Sequence, residues 1–159
     1  MKITIVAVGK IKEKYLTMGI AEFVKRLTPY CRLSIIEVDE ERMPDNPSDA
    51  DKNKVLLREG ERMMKHIKGS TYLIVLDVVG KQASSEQLAE KISSLGLCGK
   101  SDITFTIGGA FGLSPELIKA ADERLSFSKM TFTHQMIRLL LVEQVYRGFK
   151  INRGEPYHL

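Results

Sequence analysis

The chain has 159 residues, 43% of them apolar and 28% charged, with 24 Lys/Arg against 20 Asp/Glu for a net charge of +4. That is the size of one ordinary domain with enough apolar material for a sizeable core, and the longest apolar runs, such as 139–142, fall far short of the roughly 18 residues a membrane-spanning helix needs. Cys31 and Cys98 are too few and too far apart for a disulfide framework or a zinc site, and residues 1–8 are too short for a secretory apolar region, so cytoplasmic residence is expected.

In chain order, β-branched and apolar clustering predicts a strand over 2–8, followed by a helical pattern over 12–27 and a second strand over 32–38. Pro44, Pro47 and clustered acids then break both periodicities over 39–51, predicting a connection within one domain spanning 1–159. A helix over 51–67 leads to a strand over 72–78. Ser84 with Gln87 has capping-box spacing for a helix over 85–95. After a strand over 103–107, Ser114-Pro115-Glu116 supplies a cap, a proline at the first helical position and an acid near the positive end of the helix dipole, for a helix over 115–122. A short strand over 125–127 and a helix over 134–149 complete the chain. Alternating strands and helices, with strands apolar through their length, predict an α/β fold: a parallel sheet covered by helices, with ligands at the carboxyl ends of the strands.

Charge is distributed unevenly. Residues 1–31 hold six bases against two acids, 32–100 eleven against twelve, 101–124 two against four, and 125–159 five against two. Basic ends brought to one side of the fold would suit phosphate backbones, whereas on charge alone they also fit solvated helix faces.

The loops after the third, fourth and fifth strands are where chemistry is expected. Ile107-Gly108-Gly109-Ala110-Phe111-Gly112 leads into the Ser114 cap, and its glycines permit close backbone approach and free N–H groups toward a ligand. The turn does not match GxGxxG, and no acid follows a second strand in dinucleotide register, which argues against a nicotinamide site. Gly99-Lys100-Ser101 fails as a P-loop because Ser94 stands at the first glycine position and the tripeptide precedes a strand. Asp77-Val78-Val79-Gly80 resembles a GTPase DxxG but has no P-loop partner. His66, His134 and His158 are isolated, and no HExxH or GxSxG occurs, so no metal is expected.

The last helix is apolar on nearly every side, through Met136, Ile137, Leu139, Leu140, Leu141, Val142, Val145, Tyr146 and Phe149, as a central core helix or one covered by a symmetric partner would be. Arg138 interrupts that run, and a charge there is costly unless paired or used. Glu143 and Arg147 have the i,i+4 spacing of a surface ion pair.

With these motifs in place, the sequence closely resembles the SPOUT-class RNA methyltransferases, specifically the small bacterial family that methylates N3 of a pseudouridine in large-subunit (23S) ribosomal RNA. The likeness runs from Ile5-Val6-Ala7-Val8-Gly9-Lys10 through Leu76-Asp77, Gly80-Lys81 and Ser84-Ser85, then Ile107-Gly108-Gly109 and Gly112-Leu113. It continues in Leu125-Ser126-Phe127-Ser128-Lys129-Met130-Thr131-Phe132, Glu143-Gln144, Tyr146-Arg147 and Pro156-Tyr157-His158. The resemblance implies a SPOUT fold with a C-terminal trefoil knot, a rare exception to un-knotted topology. It implies a homodimer with the last helix buried against its mate and sites built from both chains, and an S-adenosylmethionine pocket formed by Leu76, Gly108 and Phe127, Ser128, Lys129, Met130, Thr131 and Phe132.

Methyl transfer from a sulfonium needs no metal. It needs the acceptor nitrogen in line with the methyl carbon and its proton removed. On this basis Arg138 is expected to favour the N3 anion, and His158, with Tyr157 beside it, to accept the proton or orient the substrate. Lys129, Arg147, Lys150 and Arg153 are expected phosphate contacts, and the small size of the chain predicts recognition of the assembled ribosome. Two departures stand out: Thr133 replaces a proline found in some members, and Leu159 replaces a basic residue that many carry after the Tyr-His pair. A transfer-RNA methyltransferase and a non-catalytic RNA- or nucleotide-binding module on the same scaffold are the alternatives.

Overall fold

A computed structural model describes residues 1–159. The elements, in chain order, are β1 (Lys2–Val8), α1 (Lys14–Leu27), β2 (Arg32–Val38), α2 (Asp49–Met64), β3 (Tyr72–Gln82), α3 (Ser85–Leu97), β4 (Asp102–Ile107), α4 (Pro115–Ala120), β5 (Glu123–Ser126) and α5 (Met136–Asn152). The strands form one parallel sheet in the order β2-β1-β4-β3-β5. No helix is long and apolar enough to cross a membrane.

Side-chain alternation divides the core in two. Ile3, Ile5 and Ala7 of β1, with Ile103, Phe105 and Ile107 of β4, pack beneath α1, α3 and α5, joined by Ile20, Ile92, Leu141 and Val145. Val6 and Val8 turn to the other face and meet Val75, Met63 of α2 and Leu117 of α4. The central strands are buried on both sides as expected, whereas β2, an edge strand, leaves Arg32, Ser34 and Glu37 exposed.

Both expected caps form. Ser84 Oγ accepts the Gln87 N–H at 3.2 Å while Gln87 Oε1 accepts the Ser84 N–H at 2.9 Å, and Ser114 Oγ accepts the Leu117 N–H at 3.2 Å ahead of Pro115. Most boundaries shift by a few residues, and two of the shifts have a clear cause. Helix α2 starts at Asp49 because Ser48 and Asp51 cap it reciprocally, with an aspartate doing the work of the usual Glu or Gln. Strand β3 runs on to Gln82 through a bulge: Leu76 and Lys81 both face Leu125, and residues 77–80 arch out between them.

Helix α5 lies between α1 and α3, and only Met136 and Asn152 along it are exposed. Its own chain therefore covers it more completely than its all-round apolarity suggests. The half-buried Ile137, Leu139 and Leu140 are what it still offers a neighbour.

Candidate active site

The bulge in β3 and the loops that leave the carboxyl ends of β4 and β5 close around one cleft of about 640 Å³, within the range of small-molecule sites. Leu76, Gly108, Phe127, Ser128, Met130, Thr131 and Phe132 all line it; Lys129 points away and is exposed. The β3 bulge supplies Leu76, Asp77 and Val78. It is possible only with glycine at position 80, where a Cβ would sit 2.8 Å from the Arg124 main chain.

The glycine-rich turn is tighter still. Gly109 and Gly112 bridge across it, the Gly112 N–H reaching the Gly109 carbonyl at 3.1 Å, and Gly112 has φ +85°. A Cβ on Gly108 would lie 2.2 Å from the Gly112 carbonyl oxygen. Opposite, Ser126 Oγ donates to the Ser128 carbonyl at 3.0 Å and Ser128 Oγ accepts the Met130 N–H at 3.0 Å, which folds the 127–132 loop over the opening. Thr133 Oγ accepts the Met136 N–H at 3.1 Å across the turn that leads into α5, so threonine is accommodated at this position.

The lining suits S-adenosylmethionine. Leu76, Phe127, Met130 and Phe132 give apolar walls for a purine, while the N–H groups of Ala110, Phe111, Thr131 and Phe132 donate to no group of the chain and are free for a ligand edge. No group of three or more His, Cys, Asp or Glu is placed to hold a metal ion.

The expected catalytic groups lie elsewhere in the same chain. Arg138, 1% exposed, does not line the cleft. Its Nη1 donates to Glu37 at 2.7 Å and its Nη2 to the Val8 and Gly9 carbonyls at 3.2 and 3.1 Å. Burial lowers its pKa, and Glu37 opposes that shift. Tyr157 and His158 fold back on α5. The Tyr157 hydroxyl donates to Glu143 at 2.9 Å, and the two ring nitrogens of His158 lie 3.2 Å from Arg147 and 2.9 Å from Glu86. Glu86, in the first turn of α3, is held at a pKa of about 2 by main-chain N–H donation first and the His158 contact second. The Glu143–Arg147 pair expected at the surface forms at 2.6 Å, but as a partly buried socket for the tail. None of the three lines the cleft.

Among the expected phosphate contacts, Lys129 is exposed and unpaired. Arg147 belongs to the tail socket, Lys150 pairs with Glu155, and Arg153 lies 4.4 Å from the Tyr30 ring centre.

A family model described as "Predicted SPOUT methyltransferase" matches residues 1–158. The chain belongs to the SPOUT methyltransferase family. It is 59% identical over 158 residues to the ribosomal RNA large subunit methyltransferase H of Halothermothrix orenii, and 57% identical to that of Carboxydothermus hydrogenoformans, each match covering 99% of both chains. A methylase family protein from Neisseria gonorrhoeae, 14% identical, shares the fold with a TM-score of 0.55 over 99% of this chain and 85% of its own. The α/β parallel sheet expected from the sequence is thus the architecture of a SPOUT methyltransferase.

Two residues of this SPOUT domain escaped the sequence reading. His134, isolated in the sequence, lines the cleft with Nε2 3.5 Å from Glu40 Oε1. Glu59 of α2, 5% exposed, accepts the Glu41 N–H at 3.1 Å and lies against Gly109; burial raises its carboxyl pKa. No local pattern marks either, because tertiary packing places His134 in the cleft and Glu59 against the glycine turn.

Proposed function

We propose that this SPOUT methyltransferase is a ribosomal RNA methyltransferase that transfers the methyl group of S-adenosylmethionine to N3 of a pseudouridine in the large-subunit RNA. We propose further that it acts as a homodimer on the assembled ribosome, in the cytoplasm. The observation that carries this is the cleft. Leu76, Gly108 and the 127–132 loop, the positions that the family resemblance assigns to the cofactor, converge from three strands on one cavity of suitable size and chemistry, and full-length relatives more than half identical bear a ribosomal RNA methyltransferase name.

The cofactor supplies an electrophilic methyl on a sulfonium, so the protein's task is to align an acceptor nitrogen and take its proton. Leu76, Phe127 and Phe132 exclude water from the purine, and the free N–H groups of 110–111 and 131–132 hold polar edges. Because Tyr157 and His158 do not line the cleft of their own chain, they act on the cleft of a second copy, His158 accepting or relaying the N3 proton and Tyr157 orienting the base. Tyr15 and Met18 of α1, each 62% exposed, with Met136 of α5 and Phe132, are the apolar surface available for that contact. Arg138, being buried and engaged by Glu37, acts as a positioning residue and not at the reacting nitrogen. The C-terminal trefoil knot that the family resemblance implies belongs to the same proposal.

Titration calorimetry with S-adenosylmethionine, followed by methyl transfer to purified large subunits, tests the proposal. Micromolar binding and incorporation into one pseudouridine are expected. Absence of cofactor binding to the dimer, alone or with ribosomes, would leave only a non-catalytic module, and methylation of transfer RNA instead would move the substrate.

A further inference from the structure

The connection between β1 and α1, residues 9–13, has no regular structure, yet its main chain is fastened at Gly9, Ile11 and Lys12. The Gly9 N–H donates to the Val38 carbonyl at 2.8 Å. The Val8 and Gly9 carbonyls accept from Arg138. The Ile11 N–H donates to Glu37 Oε2 at 3.0 Å, the same oxygen that receives Arg138 at 2.7 Å. The Lys12 N–H reaches Gln135 Oε1 at 3.3 Å, and Gln135 itself lines the cleft. Spending a fully buried guanidinium on a surface turn is expensive, since its desolvation must be offset by those contacts, and turns of this length are ordinarily left loose.

What the loop and the first residue of α1 hold outward is Lys10, Lys12 and Lys14, all exposed and none with a carboxylate within ion-pair distance. Glu13 is the one acid among them, and Glu40 nearby is turned toward His134. The lysines occupy alternate positions, and two residues of chain span at most about 7 Å, a reach commensurate with neighbouring phosphates along a nucleic-acid strand. Lysine is a strongly hydrated point charge that takes phosphate without reading sequence. The loop stands beside the cleft through Gln135.

We propose that the β1–α1 loop is a fixed cationic prong that grips phosphates of the RNA strand flanking the target nucleotide, with Arg138 and Glu37 as its positioning residues. This rests on the proposed RNA substrate.

The test compares K10A/K12A/K14A with K65A/K68A/K119A, which removes the same charge from exposed lysines of α2's end and of α4. Binding to large ribosomal subunits from cells lacking this protein is measured against salt concentration. Each lost phosphate contact lowers the slope of log K against log salt by about 0.7 to 0.9. The loop variant should therefore lose about 2 to 3 from the slope and bind at least tenfold more weakly at low salt, with S-adenosylmethionine affinity unchanged, while the control variant keeps the wild-type slope. E37Q, which loosens the loop but keeps its lysines, should bind several-fold more weakly with the slope intact. A wild-type slope in the loop variant, an equal loss in the control, or collapse of the loop variant to monomers would overturn the proposal. A wild-type protein that binds and methylates no large subunit would overturn the proposed function as well, which separates the two failures.

Discussion

Replacing Gly108 by alanine probes the cleft where the structure is least forgiving. The new Cβ would sit 2.2 Å from the Gly112 carbonyl oxygen and 2.4 Å from its carbon, about 1 Å inside ordinary contact, with main chain on the other side and no flexible side chain to yield. The turn must open, at an overpacking cost of about 1–3 kcal/mol, and the free N–H groups of Ala110 and Phe111 move with it. Gly112→Ala is the matched control. Its Cβ would meet nothing within 4 Å, but φ +85° makes it a strained position costing about 1 kcal/mol. In titration calorimetry G108A should bind S-adenosylmethionine at least tenfold more weakly than wild type and G112A should lose less. In thermal unfolding the cofactor should raise the melting temperature of wild type but scarcely that of G108A. Wild-type cofactor affinity in G108A would refute the assignment of the glycine turn to the site.

Further outcomes follow from the groups around the cleft. Arg138→Met leaves the Val8 and Gly9 carbonyls without their donor while removing a buried charge. The half-exposed Glu37 regains water, so a loss of about 2–3 kcal/mol is expected, or about 4–12 °C in melting temperature for a chain of this size; a change below 1 °C would show that the fork holds nothing. Glu59 is buried with a raised carboxyl pKa, so the folded state binds its proton more tightly than the unfolded chain. Its ionisation therefore costs stability as pH rises above the ordinary carboxylate range. Glu59→Gln should melt above wild type at pH 7, with the advantage gone near pH 4; a pH-independent difference would contradict this. His158→Ala should slow single-turnover methylation at least tenfold without altering S-adenosylmethionine affinity, and an unchanged rate would remove His158 from the chemistry.

Most elements were legible because the pattern and the packing agree. The alternating Ile and Val residues of 2–8 and the apolar run of 103–107 become the two-sided core strands β1 and β4. Residues 79–82 carry no apolar period and belong to β3 only because Lys81 and Gln82 pair with Leu125 and Ser126 beyond a bulge. Strand β5 ends at Ser126, one residue short of expectation, because Phe127 turns into the cleft.

The site was legible to the extent that it is local. Glycines after a buried strand and a capped helix start announce a ligand turn, and Gly108 lines the cleft. Arg138 was identifiable as a charge needing a partner, but Glu37, 101 residues away, could not be named from the sequence. Likewise Glu143 and Arg147 look like a surface pair until the tail folds back on them with Tyr157 and His158. The two ends of the chain do meet at one place, although Arg138 is buried there against Glu37 and adds no surface charge. Gly9 and Lys12 are tied to Arg138 and Gln135, which sets Lys10, Lys12 and Lys14 beside the cleft.

Mass mapping of large-subunit ribosomal RNA from cells lacking this protein bears most directly on the proposed function. One pseudouridine should appear without its N3 methyl and regain it when purified protein, S-adenosylmethionine and assembled ribosomes are combined, with little transfer to protein-free RNA. A fully methylated ribosomal RNA in those cells would contradict the assignment.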